Sequence, residues 1–223
     1  MSSRRSAARS KPRSEPARPD HAELESSGSI TPRTSHARAR VANRTCRSGC
    51  DRRRAALHQR AMDTREQNWD AAEEGAELVR EGAYAEAIAL LSELIGRQPN
   101  NEYAYYYLGC AHYELEQYDK ALKAYVKALE IVPTYLGAMV HAGHTLRMLG
   151  RYNEAIRLAR EVLARAPADS DALFLIGASS FARGDFAQAK DHLERFLHTN
   201  PELEIATEVE GMLQVIREKL GTN

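Results

Sequence analysis

No run of apolar residues in this chain approaches the ~18 needed to cross a bilayer as a helix. Cysteine is scarce and odd in number: Cys46, Cys50 and Cys110 are all there are. They cannot form a disulfide framework, and such usage fits a reducing cytoplasm, the expected location. The first 61 residues hold no aromatic side chain and only Leu24, Ile30, Val41 and Leu57 from the Leu/Ile/Val/Phe set. So little apolar surface does not offset the entropy of ordering a chain, and 1–61 is expected to be a disordered Arg/Ser/Pro-rich tail. It also lacks an apolar stretch that would serve as the core of a signal peptide. Net charge is missing only in the sum. Residues 1–61 carry 15 Lys+Arg against 5 Asp+Glu, and residues 62–223 carry the remaining 16 against 26. The two parts, at +10 and −10, are therefore read separately.

The tail is open to three readings. Arg52, Arg53 and Arg54 form its densest basic cluster and suit an anionic surface. Nucleic acid is not the expected partner, because the arginines are scattered and no aromatic is present to stack on bases. A flexible leader is the second reading. The third makes Met62, directly ahead of the first repeat, the native start, so that the tail is not translated.

What the chain does have is a period. Pro99, Pro133, Pro167 and Pro201 stand 34 residues apart. Gly75, Gly109, Gly143, Gly177 and Gly211 keep the same spacing, as do Ala87, Ala121, Ala155 and Ala189. So do Tyr84, Tyr118, Tyr152 and Phe186. One period shared by four residue classes is the signature of a stacked repeat array. The units are 68–101, 102–135, 136–169 and 170–203, followed by a partial fifth. Each reads as two helices of about four turns. The spacing predicts pairs at 67–81 with 84–97, 102–115 with 118–131, 136–149 with 152–165, and 170–183 with 186–199. A polar-faced capping helix follows over 202–219, of the kind such arrays need for solubility.

The punctuation has mechanical reasons. Each proline follows a helix that it cannot continue. Gly82, Gly150 and Gly184 fall at the turns inside units, where a left-handed backbone is expected. Asn101 and Asp169 or Ser170 are candidate caps for the helices after them. The periodic Gly and Ala are expected where the two helices of a pair face each other, because small residues let backbones approach.

These residues resemble the tetratricopeptide repeat (TPR) family over about 68–220. That pattern wants Leu-Gly at places 7 and 8 of a unit, an aromatic at 17, Ala at 20, an aromatic at 24, a small residue at 27 and Pro at 32. Unit two matches fully with Leu108, Gly109, Tyr118, Ala121, Tyr125, Ala128 and Pro133. Unit three puts a small Ala159 at place 24, and unit four puts Phe196 at place 27. The resemblance implies an all-α, right-handed superhelical α-solenoid of antiparallel helix pairs. It implies a non-catalytic protein–protein interaction module, an adaptor or assembly factor that takes a peptide segment in a concave groove.

In the family, the first helix of each unit lines that groove. Carried onto this chain, the groove residues are Trp69, Tyr103, Tyr106, Tyr107, Cys110, Tyr113, His141, His144, Arg147, Phe174 and Phe181. Aromatics with polar tips dominate binding hot spots, so an aromatic inner wall is expected. The family's carboxylate clamp for heat-shock chaperones is not expected, since its positions hold Ala72, Ala76, Tyr107, Gly137 and His141. One alternative is a chaperone-like protein that shields a secretion or assembly substrate. Another is a metal- or redox-responsive sensor built on Cys110, His141 and His144. No cofactor or catalysis is expected: Cys110 lacks an obvious orienting carboxylate, and no phosphate-binding glycine loop or zinc-protease helix is present.

Overall fold

The computed structural model describes residues 42–221, and among them every regular element is helical. The helices are α1 (Ala42–Arg80), α2 (Tyr84–Arg97), α3 (Glu102–Glu114), α4 (Tyr118–Ile131), α5 (Leu136–Met148), α6 (Tyr152–Arg165), α7 (Ser170–Arg183), α8 (Phe186–Leu197) and α9 (Leu203–Leu220). The second helices of the first three units begin and end where the spacing predicts. None of the described helices is long and apolar enough to cross a membrane.

The first helix departs from expectation at its start. The tail over 1–41 lies outside the described residues, but α1 is continuous from Ala42 and contains Met62. No proline interrupts 42–80, and Ala and Arg are strong helix formers. A helix nucleated by the packed first unit can therefore extend through a stretch too polar to bury itself. The other departure is at the end of α8, which stops at Leu197 rather than 199. Asn200 turns into the left-handed region at φ 54, and the proline after it disfavours an α conformation at that residue.

Each helix packs on its neighbour in sequence, and the first helices also touch across units, α1 on α3, α3 on α5 and α5 on α7. The second helices make no comparable contacts with one another. The result is a solenoid with the first helices as its inner row. Asn101 accepts from the Ala104 N–H at 3.0 Å and Asp169 from the Ala172 N–H at 2.8 Å, so Asp169 rather than Ser170 is the cap of α7.

The periodic small residues sit where the helices of a pair meet. Ala87, Ala121, Ala155 and Ala189 are fully buried. A methyl group at Gly109 would lie 2.6 Å from the Tyr125 ring, and one at Gly177 would lie 2.5 Å from Leu193. At Gly75 the obstructing side chain is Leu91. In each case the hole at place 8 is filled by the residue at place 24 of the same unit. Unit three differs. Its place 24 is Ala159, and the hole at Gly143 is filled instead by Leu175, from α7 of the next unit. Leu175 stands at place 6 of unit four and is wholly buried with Ala159 and Val162.

The turns inside units also keep register. Gly82, Gly150 and Gly184 all adopt positive φ, and Glu116 takes the equivalent place in unit two at φ 59. The left-handed backbone costs a residue with a Cβ about 1–2 kcal/mol. At the far end, α9 buries Val209, Leu213 and Ile216 against the fourth pair, including Phe174 and Phe196. Phe196, oversized for place 27, meets Phe174 at 5.4 Å and so fills the last interface. Nothing lies within 4 Å of a Cβ built at Gly211, and among the described residues no further helix follows α9.

Two stability measurements follow from this packing. Replacing Glu116 with Gly is expected to raise stability by about 1 kcal/mol, roughly 2–4 °C in Tm. Leu175→Ala is expected to cost about 2–5 kcal/mol, and Ala159→Leu alone about 1–3 kcal/mol by overpacking. Combined, the two should recover much of the loss in a thermal melt, since the second leucine restores the plug from within unit three. Additive losses would show that Leu175 is not that plug.

Candidate functional site

The inner row can be followed residue by residue. Trp69, Tyr103, Tyr106, Tyr107, His141, His144 and Phe174 are all 9% exposed or less. Cys110, Tyr113, Arg147 and Phe181 are half-buried. The open aromatic wall expected from the register is therefore corrected at its centre. The first helices of successive units touch directly, so side chains at places 2, 5 and 6 interlock between them.

The interlock is an aromatic cluster. Trp69 meets Tyr103 edge-on at 5.3 Å, and Tyr135, from the turn before α5, covers Tyr103 at 5.7 Å and Tyr106 at 5.1 Å. His141 bonds to the Tyr106 hydroxyl through Nε2 at 3.0 Å and to the Tyr125 hydroxyl through Nδ1 at 3.4 Å. Burial, more than any neighbour, holds Tyr106, Tyr125 and Tyr135 well above the usual phenol range. These hydroxyls stay protonated; those of Tyr106 and Tyr125 act as structural bonds to His141, while that of Tyr135 is buried without a partner.

Cys110 belongs to the same cluster, 3.9 Å from His141 Nδ1. Burial pushes its thiol up to about 12, against partial relief from the Tyr125 and Tyr106 hydroxyls. A thiol so held is neither a nucleophile nor a ready metal ligand. His144, the third member of the expected sensor, turns instead to Phe174, with ring centroids 6.2 Å apart. Among the described residues, no group of three His, Cys, Asp or Glu side chains is placed to hold a metal ion. The sensor trio does not assemble.

What reaches the surface of the inner row is its last turn. Val79, Tyr113, Arg147 and Phe181 occupy place 12 of the four units, 34 residues apart, and all four are half-buried. Tyr113 rests edge-on against Tyr118 at 5.4 Å and Phe181 against Phe186 at 6.0 Å, each held by the aromatic that opens its own second helix. Beside this ladder, Met148 is 37% exposed. The period marked these positions in the sequence, but burial of Trp69, Tyr103, Tyr106, Tyr107, His141 and Phe174 is what singles them out.

A polar cluster that sequence reasoning did not single out ties α1 to α3. Asn101 donates to the Asn68 carbonyl at 2.8 Å, and Asn68 donates to buried Glu102 at 2.7 Å. Arg65 lies 3.6 Å from the same carboxylate. Arg65, Asn68 and Glu102 line a cleft of about 790 Å³ whose other walls include Pro99, Tyr105, Ile131, Val132, Lys127 and Glu130. Lys127 is paired with Glu130 at 2.6 Å, so each cation of the cleft already has its carboxylate. The only hint in the sequence is the carboxylate just after the Asn101 cap.

Cys110 provides a direct test of this environment. In a Cys46→Ser, Cys50→Ser background, the native thiolate fraction at pH 8 is expected to be about 10⁻⁴. Disulfide-exchange reagents should label half-buried Cys110 far more slowly in the native chain than after denaturant is added. Rapid labelling of the native chain would contradict the burial.

A family model described as tetratricopeptide repeat matches residues 146–207. One described as anaphase-promoting complex, cyclosome, subunit 3 matches residues 80–162. Intraflagellar transport protein 70A of Homo sapiens is 27% identical over 120 residues, covering 54% of this chain and 18% of that protein. TPR repeat-containing protein MJ1428 of Methanocaldococcus jannaschii is 26% identical over 170 residues, covering 61% of this chain and 30% of that protein. The chain thus spans under a third of the length of either relative. Among solved structures, MamA of Desulfovibrio magneticus RS-1 superposes with a TM-score of 0.62 at 21% identity, over 70% of this chain and 87% of that one. MamA from AMB-1 gives 0.60 at 19%, over 68% and 88%, and at such identities the likeness is one of fold. Proteins built this way are protein-interaction modules. With the 34-residue period, the helix pairs and both sequence matches in agreement, the chain is a tetratricopeptide repeat protein.

Proposed function

We propose that this chain is a non-catalytic adaptor or assembly factor that binds a peptide segment of another protein along its inner row. The observation that carries the reading is the ladder at place 12. Four half-buried side chains, one per unit at the same register, are Val79, Tyr113, Arg147 and Phe181, and exposed Met148 follows Arg147. Side chains partly held by their own scaffold lose little entropy on binding, and aromatic and arginine anchors dominate interface energies. The buried aromatics behind the ladder fix its spacing and supply no contact of their own. A cytoplasmic setting is part of the same proposal, supported by Cys110 as a free thiol.

The test is affinity capture from native lysate with the full chain beside a Tyr113→Ala, Phe181→Ala variant of unchanged helicity. A protein held by the wild type and lost by the variant is the expected outcome. Tyr106→Ala, which empties a fully buried site, is expected instead to lower stability by about 3–5 kcal/mol. Equal capture by wild type and ladder variant would move binding to the convex face or the N-terminal tail.

A further inference from the structure

The ladder has one charged rung, and beneath it lies an unanswered polar group. Both ring nitrogens of His144 are buried without a hydrogen-bond partner, and so is Nε of Arg147. The two residues stand three apart on α5, hence one above the other on the same face. His144 is 2% exposed and its far side is closed by Phe174. Burial, then the charge of Arg147, then His141, hold its imidazole well below the usual histidine range, so it is neutral. A neutral imidazole still has one N–H to give, and a buried donor left unmet costs about 1–3 kcal/mol. Arg147 takes no part in the ion pairs formed among the described residues.

We propose that His144 and Arg147 form a carboxylate subsite, taking an Asp or Glu side chain from within the bound segment. The inference rests on the inner-row reading above. Half-buried Arg147 supplies charge and a planar donor fork, a set that fits a carboxylate and repels a cation, and the covered imidazole N–H is reached only when the bound segment shifts the side chains over it. The source is a side chain rather than a chain terminus because the ladder continues both ways. Tyr113 lies one unit before Arg147 and Phe181 one unit after it. A segment seated on both aromatics passes over Arg147 without ending there. The expected ligand is therefore an extended stretch with one acidic residue flanked by apolar ones.

The experiment is a random peptide library panned on the full chain. Binders are then resynthesised with Asp→Asn or Glu→Gln, and separately with an amidated C-terminus. Selected peptides should share one acid, and its amide should bind at least about tenfold more weakly. Arg147→Gln should weaken the acidic peptide by a similar factor and leave the amide peptide unchanged, the non-additivity that marks a direct pair. The His144 ring nitrogens should shift on binding by NMR. Binders that need Tyr113 and Phe181 but no acid, or that ignore Arg147→Gln, would remove the subsite and leave the inner-row reading standing. Loss of binding on C-terminal amidation alone would replace the side chain with a terminus and overturn the proposal. An unmoved His144 ring would assign its nitrogens to a buried water only. A library with no binders, or with binders indifferent to every inner-row variant, would overturn both readings.

Discussion

Everything in this fold hangs on one close approach, repeated at each unit. The first helix presents a glycine, and a Leu or Tyr fills the space where a side chain would have been, from the second helix of the same unit in units one, two and four and from the next first helix in unit three. That contact sets how near the two backbones come, and with it where the remaining faces point. The fully buried alanine one turn before the plug helps keep the pair close. Because the geometry is the same each time, the units stack with a constant step, and residues at one register form rows along the array.

The rows have different fates. In unit two, places 2, 5 and 6 of the first helix are interior, and the bonds from His141 to Tyr106 and Tyr125 are the polar content of that interior. Place 12 falls at the helix end, beyond that interior, and stays partly open. A surface suited to a partner is thus a remainder of the stacking. Its chemistry is set by the aromatic that opens the second helix, which steadies the place-12 ring in units two and four.

The fold was legible almost to the residue because its determinants are periodic: Tyr84, Tyr118 and Tyr152 begin helices where the register says they must. Departures came from features a period does not encode. Helix α1 continues upstream because nothing stops it, and Asn200 ends α8 early. The inner wall was legible as a direction but not as an exposure. Whether Tyr106 faces a partner or a neighbouring helix depends on the spacing between units, and a sequence register carries no distance. Leu175 is the sharpest case. Its register shows only that it lies on an inner face, and the deficit at Ala159 explains why it fills the hole at Gly143.

That exchange has a consequence for how such a chain can change over generations. Arrays of this kind grow and shrink by copying or losing whole units, which is harmless when every unit closes its own core. Here the third unit lacks its own plug and borrows one from the fourth. Excising the fourth would leave a hole in the third, and inserting a copy between them would part the leucine from the space it fills. A filled core therefore requires the two to be kept together as a single 68-residue block, 136–203.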